Sequence, residues 1–156
     1  MSGFGDSLTT VGTTQLHPLG TIVVEPATQG GTRANQGEKS WIYVYNDSGS
    51  ALDPARMQTR KAGSATYHVA EAGAINPAQA VGMCAHAIPN GSYGFIARKG
   101  IVTAFATGAV AANKGLILAA AGEVADEGAV TGSACGNTLA GNSGSGAFTA
   151  YIDCKG

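Results

Sequence analysis

The residues best suited to nucleophilic catalysis lie in a glycine-rich string near the C-terminus. This string, residues 141–146, reads Gly-Asn-Ser-Gly-Ser-Gly and places Ser143 at its centre. A serine attacks a substrate only when a neighbouring base removes its proton, and an acidic group usually orients that base. The available partners are His68 or His86 as the base and Asp126 or Asp47 as the acid.

The string 141–146 resembles the nucleophile loop of chymotrypsin-like serine proteases, whose glycine-rich backbone supplies the oxyanion donors. Two departures argue against a protease. That fold places a substantial part of a second barrel after the nucleophile, whereas this sequence ends shortly after Ser143. The Ala-Ala-His-Cys-like run of that family is matched only loosely by Cys84-Ala85-His86-Ala87. We therefore interpret 141–146 as a flexible loop and predict a protein that is not an enzyme.

A metal site would have to be built around Cys84 and His86, which share a face if residues 80–88 form a strand. Structural zinc sites normally show two close ligand pairs, and this sequence has one loose pair. Further ligands could come only from Cys135, Cys154 or His68. An odd number of widely spaced cysteines also argues against a disulfide framework. We expect buried free thiols beside a hydrogen-bonded histidine, with no metal and no cofactor.

The composition favours a protein that works while covered by other proteins. Charged residues make up 12% of the sequence, against about 25% in ordinary soluble domains. A surface with few charges loses little hydration when a neighbour covers it. The net charge of -1 offers no basic field for a polyphosphate, so nucleic acid is not an expected partner. The sequence has no secretory signal and no long apolar run, so we expect synthesis in the cytoplasm and no membrane contact.

The clearest predicted strand is Ser40–Asn46. Successive side chains of a strand point to opposite sides, so Trp41, Tyr43 and Tyr45 form one face while Ile42 and Val44 form the other. Both faces carry large apolar groups and must be covered. The run that follows, Asn46–Gly49, is typical of a turn.

The remaining short apolar runs predict an all-β domain, a single small barrel or sandwich over residues 20–156. Gly100 would interrupt one long strand with a bulge or bend. Residues 1–19 are rich in Gly, Ser and Thr and predict an extended N-terminal arm, and residues 128–147 predict a glycine-rich loop. The other expected strands are Thr21–Glu25, Met57–Lys61, Thr66–Ala72, Ala80–Ile88, Tyr93–Lys99, Ile101–Ala106, Leu116–Ala119 and Phe148–Cys154.

Two groups of residues are candidates for a contact surface. The first is the apolar residues of the arm, and the second is the aromatic stripe of the strand Ser40–Asn46. The stripe has two other interpretations, since aromatic rings also form carbohydrate platforms and pack in cores. The candidate contact residues are Phe4, Leu8, Val11, Leu16, Trp41, Tyr43 and Tyr45.

Four phrases of the sequence resemble those of small head proteins of tailed phages, in particular capsid decoration (cement) proteins. They are Val81-Gly82-Met83, the run Gly91–Ile96, the run Lys99–Ala104 and the run Val110–Leu118. The resemblance implies a compact β-barrel that binds the outer surface of the assembled capsid, often as a trimer. The expected partner is then the major capsid protein, and the arm would reach across to a neighbour. The alternatives are another head or tail component, or a glycan-binding module displayed on the virion.

Overall fold

Two-sided burial of one central strand organises the fold. The computed structural model describes residues 7–27, 37–71, 80–126 and 135–154. Within these ranges the chain forms ten strands and one short 3-10 turn, Ala120–Gly122, with no helix able to span a membrane. The strands are β1 Ile22–Glu25, β2 Lys39–Asn46, β3 Met57–Arg60, β4 His68–Glu71, β5 Ala80–Met83, β6 Tyr93–Ala106, β7 Gly115–Leu118, β8 Val124–Asp126, β9 Gly136–Thr138 and β10 Gly146–Asp153.

Five strands close into a small barrel in the order β2, β4, β3, β5, β6 and back to β2. The β2–β4 pairing is parallel and the other four are antiparallel. The all-β class predicted from the alternating pattern is therefore confirmed. Four further strands continue from β6 through β10, β9 and β7 to β8, and β8 returns to β6 through the pair Ala106↔Val124. The remaining strand, β1, pairs with β2.

The side chains on the two faces of β2 belong to two separate apolar clusters, as the alternation of its residues predicted. Ile42 and Val44 belong to the first cluster, which contains only residues of the five-stranded ring and its connections and therefore fills the barrel. Trp41 and Tyr43 belong to the second cluster, which also draws on β1, β7, β8 and β10. The second cluster thus joins the outer face of the barrel to the other strands.

Strand β6 is continuous over 14 residues, although the sequence predicted a break at Gly100. The expected irregularity is present as a bulge just before that glycine. Ser40 pairs with Lys99 while Trp41 pairs with Ala97, so Arg98 is an extra residue. The glycine itself has a φ of 116°, a conformation that residues with a Cβ rarely adopt.

Two short strands, β8 and β9, were not predicted, and β9 lies inside the segment 128–147 that was expected to be a loop. Its residues Gly136–Thr138 have little strand propensity of their own. Contacts distant in sequence define it instead, since the Cys135 amide donates to the Leu116 carbonyl at 2.9 Å and Thr138 Oγ1 donates to the Ala111 carbonyl at 2.6 Å. The expected strand Ala80–Ile88 is shorter and ends at Met83.

The described part of the N-terminal segment, residues 7–19, lies against the barrel of its own chain. Gly12 and Tyr93 exchange two backbone hydrogen bonds, at 3.2 and 2.8 Å. Leu8 packs against the second cluster and Val11 against the first. The predicted extended arm stays a prediction for residues 1–6, which include Phe4 and lie outside the described residues.

Gly82→Ala tests the closure of the barrel at the β5–β6 seam. A Cβ at this position would lie 2.5 Å from the Ala97 carbonyl oxygen, a backbone atom that cannot rotate away. We expect the substitution to lower the free energy of unfolding by about 1–3 kcal/mol in urea titrations. Gly108→Ala is the matched control, because a Cβ there meets no atom within 4 Å. Equal stability of the two variants would contradict this account of the seam.

Candidate functional site

The proposed catalytic residues do not assemble into a nucleophilic triad. Ser143 is exposed and follows Asn142, whose backbone forms an isolated β-bridge with Val110. None of the hydrogen bonds described joins Ser143 to a histidine. The structure does bring together Asp47 and His68, whose Oδ2 and Nδ1 atoms are 3.3 Å apart. The serine beside this pair is Ser64, and it donates to the aspartate at 2.9 Å instead of to the histidine.

Asp47 is a structural hub at the end of β2. Hydrogen bonds from Ser64, His68 and Lys61 hold its pKa below the ordinary aspartate value. These three residues lie on the connection from β3 to β4 or at the start of β4. The Asp47 carboxylate therefore links this connection to the turn after β2 by hydrogen bonds. Asp126, the other candidate acid, accepts a hydrogen bond from the Ala111 amide at 3.3 Å.

The three cysteines among the candidate metal ligands are divided between the two apolar clusters. Cys84 lies in the first cluster, and Cys135 and Cys154 lie in the second. The described ranges hold no group of three or more residues able to bind a metal. All three thiols are free and buried, as predicted. Burial raises the pKa of each thiol, that of Cys135 to about 11, so these cysteines are poor nucleophiles at neutral pH.

His86 differs from the expectation of a hydrogen-bonded core histidine. Both of its ring nitrogens are shielded from solvent, and neither has a hydrogen-bond partner among the described residues. Burial disfavours the charged imidazolium and lowers the pKa of this side chain. We therefore expect this residue to make the fold sensitive to acid.

The aromatic stripe is mostly part of the core, which corrects its assignment as a contact surface or carbohydrate platform. Trp41 is 6% exposed and Tyr43 is 3% exposed. The N-terminal segment covers Tyr43, whose hydroxyl accepts a hydrogen bond from the Leu16 amide at 3.1 Å. The third member, Tyr45, is half-buried, with its ring centroid 4.7 Å from that of Tyr93.

Two of the four large exposed apolar side chains in the described ranges lie on the first strand. The large apolar residues exposed within the described ranges are Leu16, Ile22, Val24 and Leu139, at 45–51%. Leu16 was a predicted contact residue, whereas Ile22 and Val24 were missed as contact residues. The available signal was the β-branched run before Pro26, since proline is confined to sheet edges and strand ends.

Strand β1 is an edge strand. It pairs with β2 from Ile22↔Ile42 to Glu25↔Lys39, and no other described strand lies along its outer side. An open edge presents unpaired amide and carbonyl groups to which a partner strand can bond. We use "β1 edge surface" for the side chains of Ile22 and Val24 together with the outer backbone of β1. It offers main-chain hydrogen bonds beside two half-exposed aliphatic groups.

The fold is similar to a solved structure of a phage protein, the head fiber gp8.5 N base of bacteriophage phi29. The TM-score is 0.56, and the match covers 72% of this chain and 94% of that chain. At 10% identity, the similarity shows a shared fold. No protein-family model and no curated protein matches the sequence.

The half-buried imidazole of His86, with both ring nitrogens shielded from solvent, predicts a loss of stability in mild acid. A histidine with a lowered folded-state pKa takes up a proton more readily when unfolded, so stability falls as the pH drops below the unfolded value of 6.5. His86→Leu removes this titration. We expect the urea midpoint of the wild type to fall more than that of the variant between about pH 7.5 and about pH 5.5. Parallel profiles would assign the acid sensitivity to other groups.

Proposed function

We propose that this chain is a structural component of a phage virion that binds the outer surface of the head and stabilises contacts between major capsid protein subunits. The observation that supports this proposal most is the shared barrel fold, which covers nearly the whole length of the phi29 head fiber base structure. The four sequence runs that resemble small phage head proteins also support this proposal, independently of the structural comparison.

The surface chemistry is consistent with attachment through protein contacts. A strand added to the β1 edge surface would bond to the outer backbone of β1, four residues long. It would also cover Ile22 and Val24, which are 49% and 48% exposed. Covering the exposed half of each side chain contributes roughly 1 kcal/mol. The low charge of the chain keeps the accompanying desolvation penalty small.

One short edge gives a weak bond, so we also propose self-association, with a trimer as the favoured form. Copies joined to one another bind a repetitive shell through several edges at once, and each bound edge raises the effective concentration of the next. A closed symmetric trimer would present three equivalent β1 edge surfaces to the capsid. Such an assembly reinforces the shell without a single strong site.

A second candidate is the base of a head fiber, favoured by the description of the matching structure. In that role the chain would anchor a longer projection at some positions of the head, whereas a protein that reinforces the shell would be needed at every equivalent contact. The number of copies bound per capsid at saturation separates the two. One copy or trimer for each repeating capsid position indicates decoration, and occupancy restricted to a subset of positions indicates a fiber base.

Co-sedimentation with preformed capsids tests the proposal. We expect the purified protein to sediment with capsids, and Val24→Lys to weaken this binding about tenfold or more, because a charge on an exposed edge blocks strand addition. Leu139→Lys is the matched control, since this leucine is 45% exposed and lies after β9, away from β1 in the strand order. It should bind as the wild type does.

Two results of that experiment count against the proposal. Failure of the wild type to sediment with any capsid preparation removes the proposed function itself. Equal weakening by Val24→Lys and Leu139→Lys removes the β1 edge surface as the point of attachment. Thermal unfolding of both variants checks that each remains folded.

A fluorophosphonate probe tests the rival protease hypothesis. We expect no labelling of the wild type, because Ser143 lacks a histidine partner among the described hydrogen bonds and an unactivated serine reacts slowly. Labelling that disappears in Ser143→Ala but persists in Ser145→Ala would establish a nucleophile at position 143.

A further inference from the structure

A cleft of about 550 Å³ lies beside the second cluster, on the side of β1 and β2 opposite to Ile22 and Val24. Its volume falls within the range of small-molecule sites. The β1 and β2 strands contribute Glu25, Lys39 and Trp41 to one wall, and β6 and β10 contribute residues to another. The cleft belongs to neither the β1 edge surface nor the Asp47 cluster.

Trp41 positions two charged groups in the cleft wall. Its indole Nε1–H donates to Glu25 Oε2 at 3.0 Å, and the Lys39 ammonium lies 4.5 Å from the centroid of its ring. Glu25 and Lys39 are also direct partners in the β1–β2 register. A carboxylate can accept about four hydrogen bonds and an ammonium can donate three, so each can bind several partners at once. The wall therefore presents a fixed charged acceptor next to a charged donor.

The other wall combines hydroxyl and apolar groups. Thr103 of β6 and Thr149 of β10 are cross-strand partners, and both are exposed in the cleft. Ile101 lies two residues along β6, and Leu8 of the N-terminal segment also lines the cleft. Neutral donor–acceptor groups thus lie beside small apolar surfaces.

This arrangement matches the chemistry of a neutral sugar. Each hydroxyl of a sugar both donates and accepts, so neighbouring hydroxyls can bond to a carboxylate and an ammonium together, and such charge-assisted bonds are the stronger kind. Adjacent opposite charges cancel at longer range, which gives no advantage to an anionic or cationic ligand. The C–H face of a sugar ring suits Ile101 and Leu8, whereas the Trp41 ring is covered by Lys39 and acts as a positioning residue.

We infer that the cleft between β1–β2 and β6–β10 is a binding site for a neutral saccharide, with Glu25, Lys39, Thr103 and Thr149 supplying the hydrogen bonds. The site goes beyond the proposed structural role. It uses a different face of the sheet from the capsid contact, so each can be tested without the other.

Trp41 is the sole tryptophan of the chain, so its fluorescence reports on this cleft directly. The full chain is titrated with maltose and N-acetylglucosamine as neutral probes, and with glucosamine and glucuronate as charged ones. We expect a saturable change in Trp41 emission with at least one neutral probe, and weaker binding of the charged ones. Saturation-transfer NMR on the same samples detects a bound sugar that leaves the emission unchanged.

Two variants connect binding to the named residues. Glu25→Gln keeps an acceptor for the Trp41 indole but removes the charge, and we expect about tenfold weaker binding. Thr103→Val removes one hydroxyl at nearly constant shape and should weaken binding several-fold. Thr107→Val is the matched control just beyond the end of β6, because Thr107 is exposed but does not line the cleft.

The absence of saturable binding by both fluorescence and NMR, for every neutral probe, would overturn the inference. Binding that Thr103→Val and Thr107→Val leave equally strong would do the same, because the sugar would then lie elsewhere. Capsid co-sedimentation of Thr103→Val should match that of the wild type. If the wild type binds a sugar but does not sediment with capsids, the result counts against the proposed structural role alone.

Discussion

A single extra residue in β6 determines which side chains of this long strand are buried beyond the bulge. Arg98 is unpaired opposite the step from Ser40 to Trp41, and the side-chain alternation of β6 changes phase there. Before the bulge, Phe95 and Ala97 face the second cluster. After it, Val102, Ala104 and Ala106 do so. Without the extra residue, the exposed Thr103 would point into that cluster and Val102 would point out. The bulge therefore lets one strand serve both the barrel and the strands beyond it.

Strands with strong local patterns were predictable from sequence, and strands defined by distant contacts were not. The alternation of β2 specifies two buried faces without reference to any partner, because every one of its side chains from Trp41 to Val44 is apolar or aromatic. The bulge near Gly100 was also recognisable, since a glycine that interrupts a long strand-like run often marks such a site. Strands β8 and β9 are three residues each, too short to show a strand pattern in the sequence. Their hydrogen bonds with β7 define them as strands instead.

The contact surface was harder to predict because exposure depends on what covers a strand. The stripe of Trp41 and Tyr43 has the composition of an interface, yet residues 7–19 lie over part of it, with the imidazole of His17 5.1 Å from the Tyr43 ring. A segment of Gly, Ser and Thr gives no sign in sequence that it packs there. Ile22 and Val24 are exposed for the converse reason, since β1 is the last strand on its side of β2. Pattern alone identifies a strand but not its place in the sheet.

The seams of the five-stranded barrel are unequal. Strands β2 and β6 are paired at six positions, whereas β5 and β6 share the one pair Met83↔Ala97 and the parallel β2–β4 contact has two. Opening the barrel at those two weak seams releases β3, β4 and β5 together while β2 and β6 stay joined. Amide hydrogens of β3 to β5 should then exchange with solvent as one cooperative unit, ahead of those in the β2–β6 ladder. The topology thus predicts that β3, β4 and β5 unfold before the rest of the domain.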